Sequence, residues 1–476
     1  MDLTYAEYKS YWINSMKDAI QHANQCIKSL KGVVTAFNTN IDAVKNLREG
    51  DVERLLAKLG ISLEGETEVE EISEVEHLLR GLLKAIRTGN GFELSISKPE
   101  ISTWILTNIR ADEVRIGGQA GISANVLATL GVERVYVHVA SIPRIQAELF
   151  KDQGIFIPCK KNDAVLAVPP LEAYNDQHEP MIHWVFEFHE GYTVKLNGSY
   201  IQAPKSDRFI ASYDPLNSSL YIDPIFREFM RDKAINIDKA LISGFQLLKP
   251  RYPDGSTFKD KVLRTRRVVE EWKSINPSMW IHLEQAYMTN TEILRFAVEE
   301  LSKTIDSYGL NEVELDVLVK AMKLTGEVEE VNLIDKLILV SRTLKLKCLV
   351  LHTRDFAIAL TKGDVDLKCT RRALWFGSML AATRTLTGCE TTMSEVVEML
   401  RERTLPVSLE SYKYHMQLSN VLNVDARRAL REGFEHQGYN IVLVPALSNP
   451  KPVRSVGLGD TFTSGFLVCT PLASPR

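Results

Sequence analysis

Val456-Gly457-Leu458-Gly459-Asp460-Thr461-Phe462-Thr463-Ser464-Gly465 lies close to the C-terminus, after the apolar run NIVLVPA at 440–446 and the loop LSNPKPVRS. An apolar run of that length reads as a buried strand, and Gly-Asp-Thr reads as the start of a helix. Gly457 and Gly459 have no side chains to hold a phosphate away from the backbone. A helix starting near Asp460 would aim unpaired amides and the positive end of its dipole at the same spot. Asp460 is then a carboxylate at the mouth of an anion hole, placed to take the proton from a hydroxyl as its oxygen attacks phosphorus. The same residues also suit a plain helix cap, and the run alone leaves these two readings level. Because the next glycine after Gly459 is Gly465, the run is not GxGxxG, and no GxxxxGK[ST] occurs, so dinucleotide-binding and P-loop readings lose ground.

Upstream, short Val/Ile-rich segments recur at 32–38, 134–140, 239–245, 279–284 and 347–353, separated by amphipathic stretches such as 258–275 and 332–346. This alternation predicts an α/β fold with a mostly parallel central sheet flanked by helices. Two regions interrupt it. One runs through the acidic, helix-prone stretch 64–86, a solvated helix face, into FELSIS and EVRIGG; the other, 164–214, holds AVLAV, MIHWVFEFHEGYTV and DRFIASY. The predicted division is a large domain of 1–42, 117–163 and 215–476, with a small discontinuous α+β lid of 43–116 and 164–214 over the strands' C-terminal edge.

The chain has 476 residues, too many for one core, and 45% of them are hydrophobic. Lysine and arginine number 57 against 61 acids, so a net charge of -4 offers no general attraction for nucleic acid or anionic lipid. The six scattered cysteines form no CxxC or metal spacing and read as reduced thiols. With neither a secretory leader nor a run of membrane-spanning length, the expectation is a cytoplasmic enzyme, monomeric or a small homo-oligomer, with no nucleic-acid or membrane partner.

Five motifs in order carry a resemblance over nearly the whole chain: NTNID at 38–42, IGGQAGISAN at 116–125, His282-Leu283-Glu284, Asn311-Glu312-Val313-Glu314, and GLGDT at 457–461. GLGDT is similar to the GxGD motif of the ribokinase-like superfamily. The set resembles its ADP-dependent glucokinase and phosphofructokinase branch, known chiefly from archaea. The resemblance implies a ribokinase-like large domain, ADP as phosphoryl donor, and a sugar or sugar phosphate as acceptor. It places the sugar on Asn40, Asp42 and the loop Gly117, Gly118 and Gln119. Asn40 and Asp42 at a strand end offer donors and acceptors for hydroxyls, although an Asx-rich turn is the plain alternative. Similarity to the HxE and NxxE motifs makes Glu284, Glu314 and Asp460 candidates to hold Mg2+ or another divalent cation, the glutamates through water, while a helix start competes for Glu314.

In the segment APKSDRF, similar to a phosphate-contacting lid segment, Lys205 and Arg208 are the basic candidates, Arg208 for the nucleotide. The same likeness puts adenine near Val444, Pro445 and His352. Glu93 stands where glucose-accepting members carry a glutamate, and Lys195, Lys205 and Arg208 are available to a 6-phosphate. The expected acceptors are therefore fructose 6-phosphate, glucose or both. An ATP-dependent relative of ribokinase or adenosine kinase, or a non-catalytic sugar and nucleotide binder, is the alternative.

Overall fold

The computed structural model describes residues 3–60, 68–196, 198–324, 332–363, 365–402, 404–454 and 456–471. Its main sheet has eleven strands. In spatial order they are Phe434–His436, Tyr439–Pro445, Phe356–Thr361, Cys348–His352, Ser307–Leu310, Trp280–Glu284, Lys239–Ile242, Val33–Ala36, Val135–Val137, Ile155–Lys161 and Ala164–Val168. Pairing is parallel from Cys348–His352 across to Ile155–Lys161 and antiparallel toward both edges.

Side chains alternate across this sheet, and both faces are apolar. Val33, Val135, Trp280, Val350 and Val442 enter one core with the helices Tyr5–Ser29, Gln119–Thr129, Leu367–Thr387 and Leu458–Cys469. Val34, Ile281, Tyr308, Leu349 and Ile441 enter the opposite core with Phe258–Ile275, Thr291–Leu301, Glu312–Ala321 and Leu333–Leu344. The fold is the expected helix-flanked, mostly parallel α/β type.

A second sheet has five strands: Phe92–Ser95, Asp207–Tyr213, Ile182–Phe188, Asn40–Asn46 and Glu113–Gly117. Here the alternation is one-sided. Ile41, Ala43, Trp184, Phe186, Phe209 and Ala211 pack with the helices Asp51–Leu59, Val75–Thr88 and Pro99–Asn108. The opposite face carries the intervening residues of each strand, among them Asp42, Arg115, His183, Arg208 and Ser212.

Three sequence expectations change. Ala164–Val168, expected in the lid, pairs antiparallel with Ile155–Lys161 at the edge of the main sheet, because the short turn between them favours a hairpin. Asn40–Asn46 begins three residues before, and Glu113–Gly117 ends one residue after, the expected lid segment of 43–116, so the NTNID and IGG motifs lie on the smaller sheet's strands. The acidic stretch is helical only from Val75: Ile72 instead bridges to Ile96, while residues 64–67 lie outside the described ones. The final helix ends at Cys469, and residues 472–476 of the closing segment also lie outside.

Candidate active site

The C-terminal ends of three neighbouring parallel strands supply the floor. Trp280–Glu284 ends on a buried glutamate that is bonded on both oxygens. Glu284 Oε2 accepts from His282 Nε2 at 2.9 Å and from Thr463 Oγ1 at 3.0 Å, and Oε1 accepts from His352 Nε2 at 2.9 Å. Because an ionised carboxylate only accepts, both histidines present N–H there, and His282 Nδ1 meets Ser307 Oγ at 2.8 Å on its other side. Between them, Gly309 leaves the space that Glu284 fills: a Cβ there would lie 2.7 Å from His282 Nε2. Burial pushes Glu284 up, but the His352 charge and the hydrogen bonds from His282 and His352 outweigh it and hold the acid at about 2. His352 moves the opposite way: burial lowers it, and the Glu284 charge and hydrogen bond raise it above its usual value.

Glu314 makes a capping box with Asn311 at the head of Glu312–Ala321, its Oε2 accepting from Asn311 N at 2.9 Å. The helix-start reading is therefore fulfilled, and it keeps the acid buried in the same neighbourhood. Burial, and the Glu284 charge against the Asn311 hydrogen bond, bring Glu314 up to about 7.

Asp460 sits in the first turn of Leu458–Cys469, whose cap is Gly457, at φ 77° and without a side-chain hydrogen bond. The cap reading of Asp460 thus fails, since the cap position belongs to a glycine that leaves the first amides of the helix without a capping side chain. Half-buried at the helix mouth, with its carboxyl crowded by protein, Asp460 rises to about 7 through burial and then the Glu284 charge, against Arg384 and His352; the Asp42 charge adds to the rise. A Cβ on Gly459 would meet only His352 Cε1, at 3.4 Å.

The smaller sheet brings its polar face to this end. Fully buried Asn40 donates from Nδ2 to Asp42 Oδ1 at 2.8 Å, and Arg115 Nε lies 3.6 Å from Asp42 Oδ2. A Cβ on Gly117 would fall 2.7 Å from Asp42 Cγ, so the glycine is required by the carboxylate beside it. Gly118, at φ 73°, turns the chain into the helix Gln119–Thr129, again without a side-chain cap. Gln119 Nε2 donates to the carbonyl of Gln285 at 3.0 Å, which ties this loop to the strand end carrying Glu284. Glu93 accepts from Ser212 Oγ, and its Oε1 lies 3.8 Å from His183 Nδ1. His183 Nε2 meets Asp214 Oδ2 at 2.9 Å, and Asn217 bridges Asp214 to the Thr39 carbonyl. Burial lowers His183, but the Asp214 hydrogen bond and the charges of Glu93, Asp214 and Asp42 carry it to about 9.

Beside this end lie two neighbouring cavities, of about 400 and 360 Å³, whose linings share Glu113, Arg115, Arg454 and Val456. Arg454, from the loop before Gly457, pairs with Glu113. Arg208 and Lys205 are exposed, Arg208 on the polar face and Lys205 beside Gly89. Lys195 lies on a separate hairpin with Ser199–Gln202. Val444 is wholly buried in the core, so its side chain lines neither cavity, and His352 is committed to Glu284. Among the described residues no three His, Cys, Asp or Glu side chains are grouped to hold a metal ion.

The family model described as the ADP-specific Phosphofructokinase/Glucokinase conserved region matches residues 31–469. The chain belongs to this family. It is 32% identical to an ADP-dependent glucose/glucosamine kinase of Pyrococcus furiosus, covering 96% of this chain and 98% of that one. An ADP-specific phosphofructokinase of Methanosarcina acetivorans is 28% identical, with 96% of each chain covered. Among solved structures, the last common ancestor of ADP-dependent phosphofructokinases from Methanosarcinales aligns with a TM-score of 0.84 at 28% identity, over 97% of this chain and 98% of that one. An ADP-dependent kinase in complex with fructose-6-phosphate and ADPbetaS aligns with a TM-score of 0.82 at 27% identity, over 98% of both.

In this family member, sequence reasoning passed over several residues. His183 lies within MIHWVFEF, where its polar-face position was readable from strand alternation. Arg115 lies within EVRIGG and carried the same signal. Thr463 follows Asp460 by three residues, one helical turn. Arg384 lies on Leu367–Thr387, a helix buried over most of its surface, and no periodicity marks it.

Proposed function

We propose that the protein transfers the β-phosphoryl group of ADP to a hydroxyl of fructose 6-phosphate, glucose or both, releasing AMP. The observation that carries this reading is Asp460, at an uncapped helix mouth and within electrostatic reach of Asp42. Kinship with ADP-dependent phosphofructokinases and a glucose/glucosamine kinase supports the donor and the acceptor class. The acceptor hydroxyl is held by Asn40, Asp42 and the loop Gly117 to Gln119, while the amides after Gly457 face the phosphoryl oxygens. The sugar oxygen bonds to the β-phosphorus, the bond from that phosphorus to the bridging oxygen breaks, AMP departs, and the hydroxyl proton passes to Asp460. The product is fructose 1,6-bisphosphate or glucose 6-phosphate.

A divalent cation fits this donor set only through water. Glu284 has both oxygens engaged, whereas Glu314 and Asp460, raised to about 7, lack matching positive charge. Glu284, Glu314 and Asp460 would hold the hydrated ion, which would neutralise diphosphate charge. The smaller sheet acts as a lid whose polar face excludes water once sugar is bound, with Arg208 on that face toward the nucleotide. Glu93, Ser212 and His183 support reading of a sugar hydroxyl, and exposed Lys205 and Arg208 support a 6-phosphate. A cytoplasmic setting is supported by six unpaired cysteines. No helix among the described residues is long and apolar enough to cross a membrane.

The test is AMP formation from ADP with each sugar, in parallel with ATP, for the wild type and Asp460→Asn. A kcat lower by roughly two to four orders of magnitude with donor affinity kept is expected. Full activity of Asp460→Asn would overturn the assignment.

A further inference from the structure

Arg384 is buried, only 4% exposed, and no carboxylate pairs with it among the described residues. It sits near the C-terminus of Leu367–Thr387, the helix that packs along Leu458–Cys469. The two helices approach closely where neither has a side chain: a Cβ on Gly465 would lie 2.9 Å from Gly377 Cα. That contact fixes the register between them. Two turns beyond Gly377, the register brings Arg384 against the first turn of the final helix. Its Nη1 donates to Thr461 Oγ1 at 3.0 Å, and Thr461 Oγ1 donates to the Gly457 carbonyl at 2.7 Å. Nη2 stands 3.0 Å from where a Gly457 Cβ would be, and Nε is buried without an acceptor among the described residues.

A buried guanidinium is costly unless its charge is used. Here the acids whose charges favour it are Glu390 and Asp460, while Arg115 and Arg454 oppose it. The hydrogen-bond relay ends on the carbonyl of Gly457, whose φ of 77° sets the direction of the amides that follow. We propose that Arg384 is a positioning residue for phosphoryl transfer, acting through Thr461 to hold the Gly457–Asp460 turn in its donor-facing form. The proposal rests on the kinase reading above.

Thr461→Val removes the relay with almost no change of volume and leaves the charge in place. It should lower kcat roughly 10- to 100-fold, the scale of a small misplacement of reacting groups, with KM for ADP and sugar within about threefold of wild type. Arg384→Lys should lose a similar factor. Because the two residues act in series, the double variant should be no worse than the poorer single variant. Added guanidinium ion should restore part of the kcat of Arg384→Ala, a rescue that a purely structural role would not give. Wild-type kcat in Thr461→Val, additive losses in the double variant, or no rescue in folded Arg384→Ala would each overturn the proposal. An inactive wild type would instead remove the kinase reading itself, so the two failures are distinguishable.

Discussion

Replacing Gly117 with alanine adds one methyl group at the point where the smaller sheet holds Asp42. The new Cβ would stand 2.7 Å from Asp42 Cγ and closer still to its Oδ1. Carbon atoms rest at about 3.5–4.0 Å, so the carboxylate must retreat by roughly 1 Å. It cannot do so freely, because Asn40 Nδ2 bonds its Oδ1 at 2.8 Å and Arg115 stands on the side of Oδ2. A misplacement of about 1 Å in a reacting pair costs on the order of 100-fold in rate, or about 2.7 kcal/mol of barrier. The expected result is therefore a kcat/KM for sugar lower by about 100-fold. ADP affinity, measured by calorimetric titration, should be unchanged, because the glycines assigned to the donor lie on another element. Backbone strain is not the cause, since Gly117 is absent from the glycines with positive φ. A Gly117→Ala enzyme that folds and uses sugar within threefold of wild type would refute the placement of Asp42 beside the acceptor.

Gly459→Ala makes the complementary test: its Cβ meets only His352 Cε1, at 3.4 Å, so the fold should tolerate it and gain up to about 1 kcal/mol of helix propensity. If the amides there cradle phosphate, kcat/KM for ADP nevertheless drops about tenfold or more as Tm holds or rises, and unchanged donor use would dismiss the cradle. Glu93→Ala should cost glucose roughly 10- to 100-fold in kcat/KM, the value of a hydrogen bond to a charged group, and leave fructose 6-phosphate little affected; equal losses would remove Glu93 as the discriminating group. His183, at about 9 in the fold against 6.5 ordinarily, gives stability that is complete below pH 6.5 and lost as pH rises through 9. That contribution is at most about 3 kcal/mol. Urea unfolding at the two pH values should show the loss, and His183→Gln should flatten it; an unaltered slope in the variant would place the pH dependence elsewhere.

The glycines were legible because an absent side chain is visible in a sequence and its physical use is narrow. Gly117 stands where a Cβ would trespass on the Asp42 carboxylate, and Gly459 stands in the first turn of the final helix where a Cβ would meet only His352 Cε1. The apolar runs were legible for a similar geometric reason, and they placed six of the main sheet's eleven strands to within a few residues, while Ile155–Lys161, Ser307–Leu310, Phe356–Thr361 and Phe434–His436 went unread. The lid boundary at Ala164–Val168 was misread because an apolar strand carries no mark of which sheet it joins. Only the hairpin with Ile155–Lys161 decides that.

Charge balance was not legible at all. The GLGDT motif names Asp460, but the value of about 7 arises from burial, from Glu284 on a central strand, and from Arg384 and His352 on two further elements. None of these lies within 70 residues of it in sequence. Glu284, in turn, is an ionised acid only because two histidines converge on it; without them its burial would favour the neutral form. A motif can therefore be intact while the chemistry it is expected to perform is absent, if a single distant partner is changed. Arg384, for its part, belongs to no motif, yet through Thr461 it reaches the carbonyl of Gly457 at the head of the final helix.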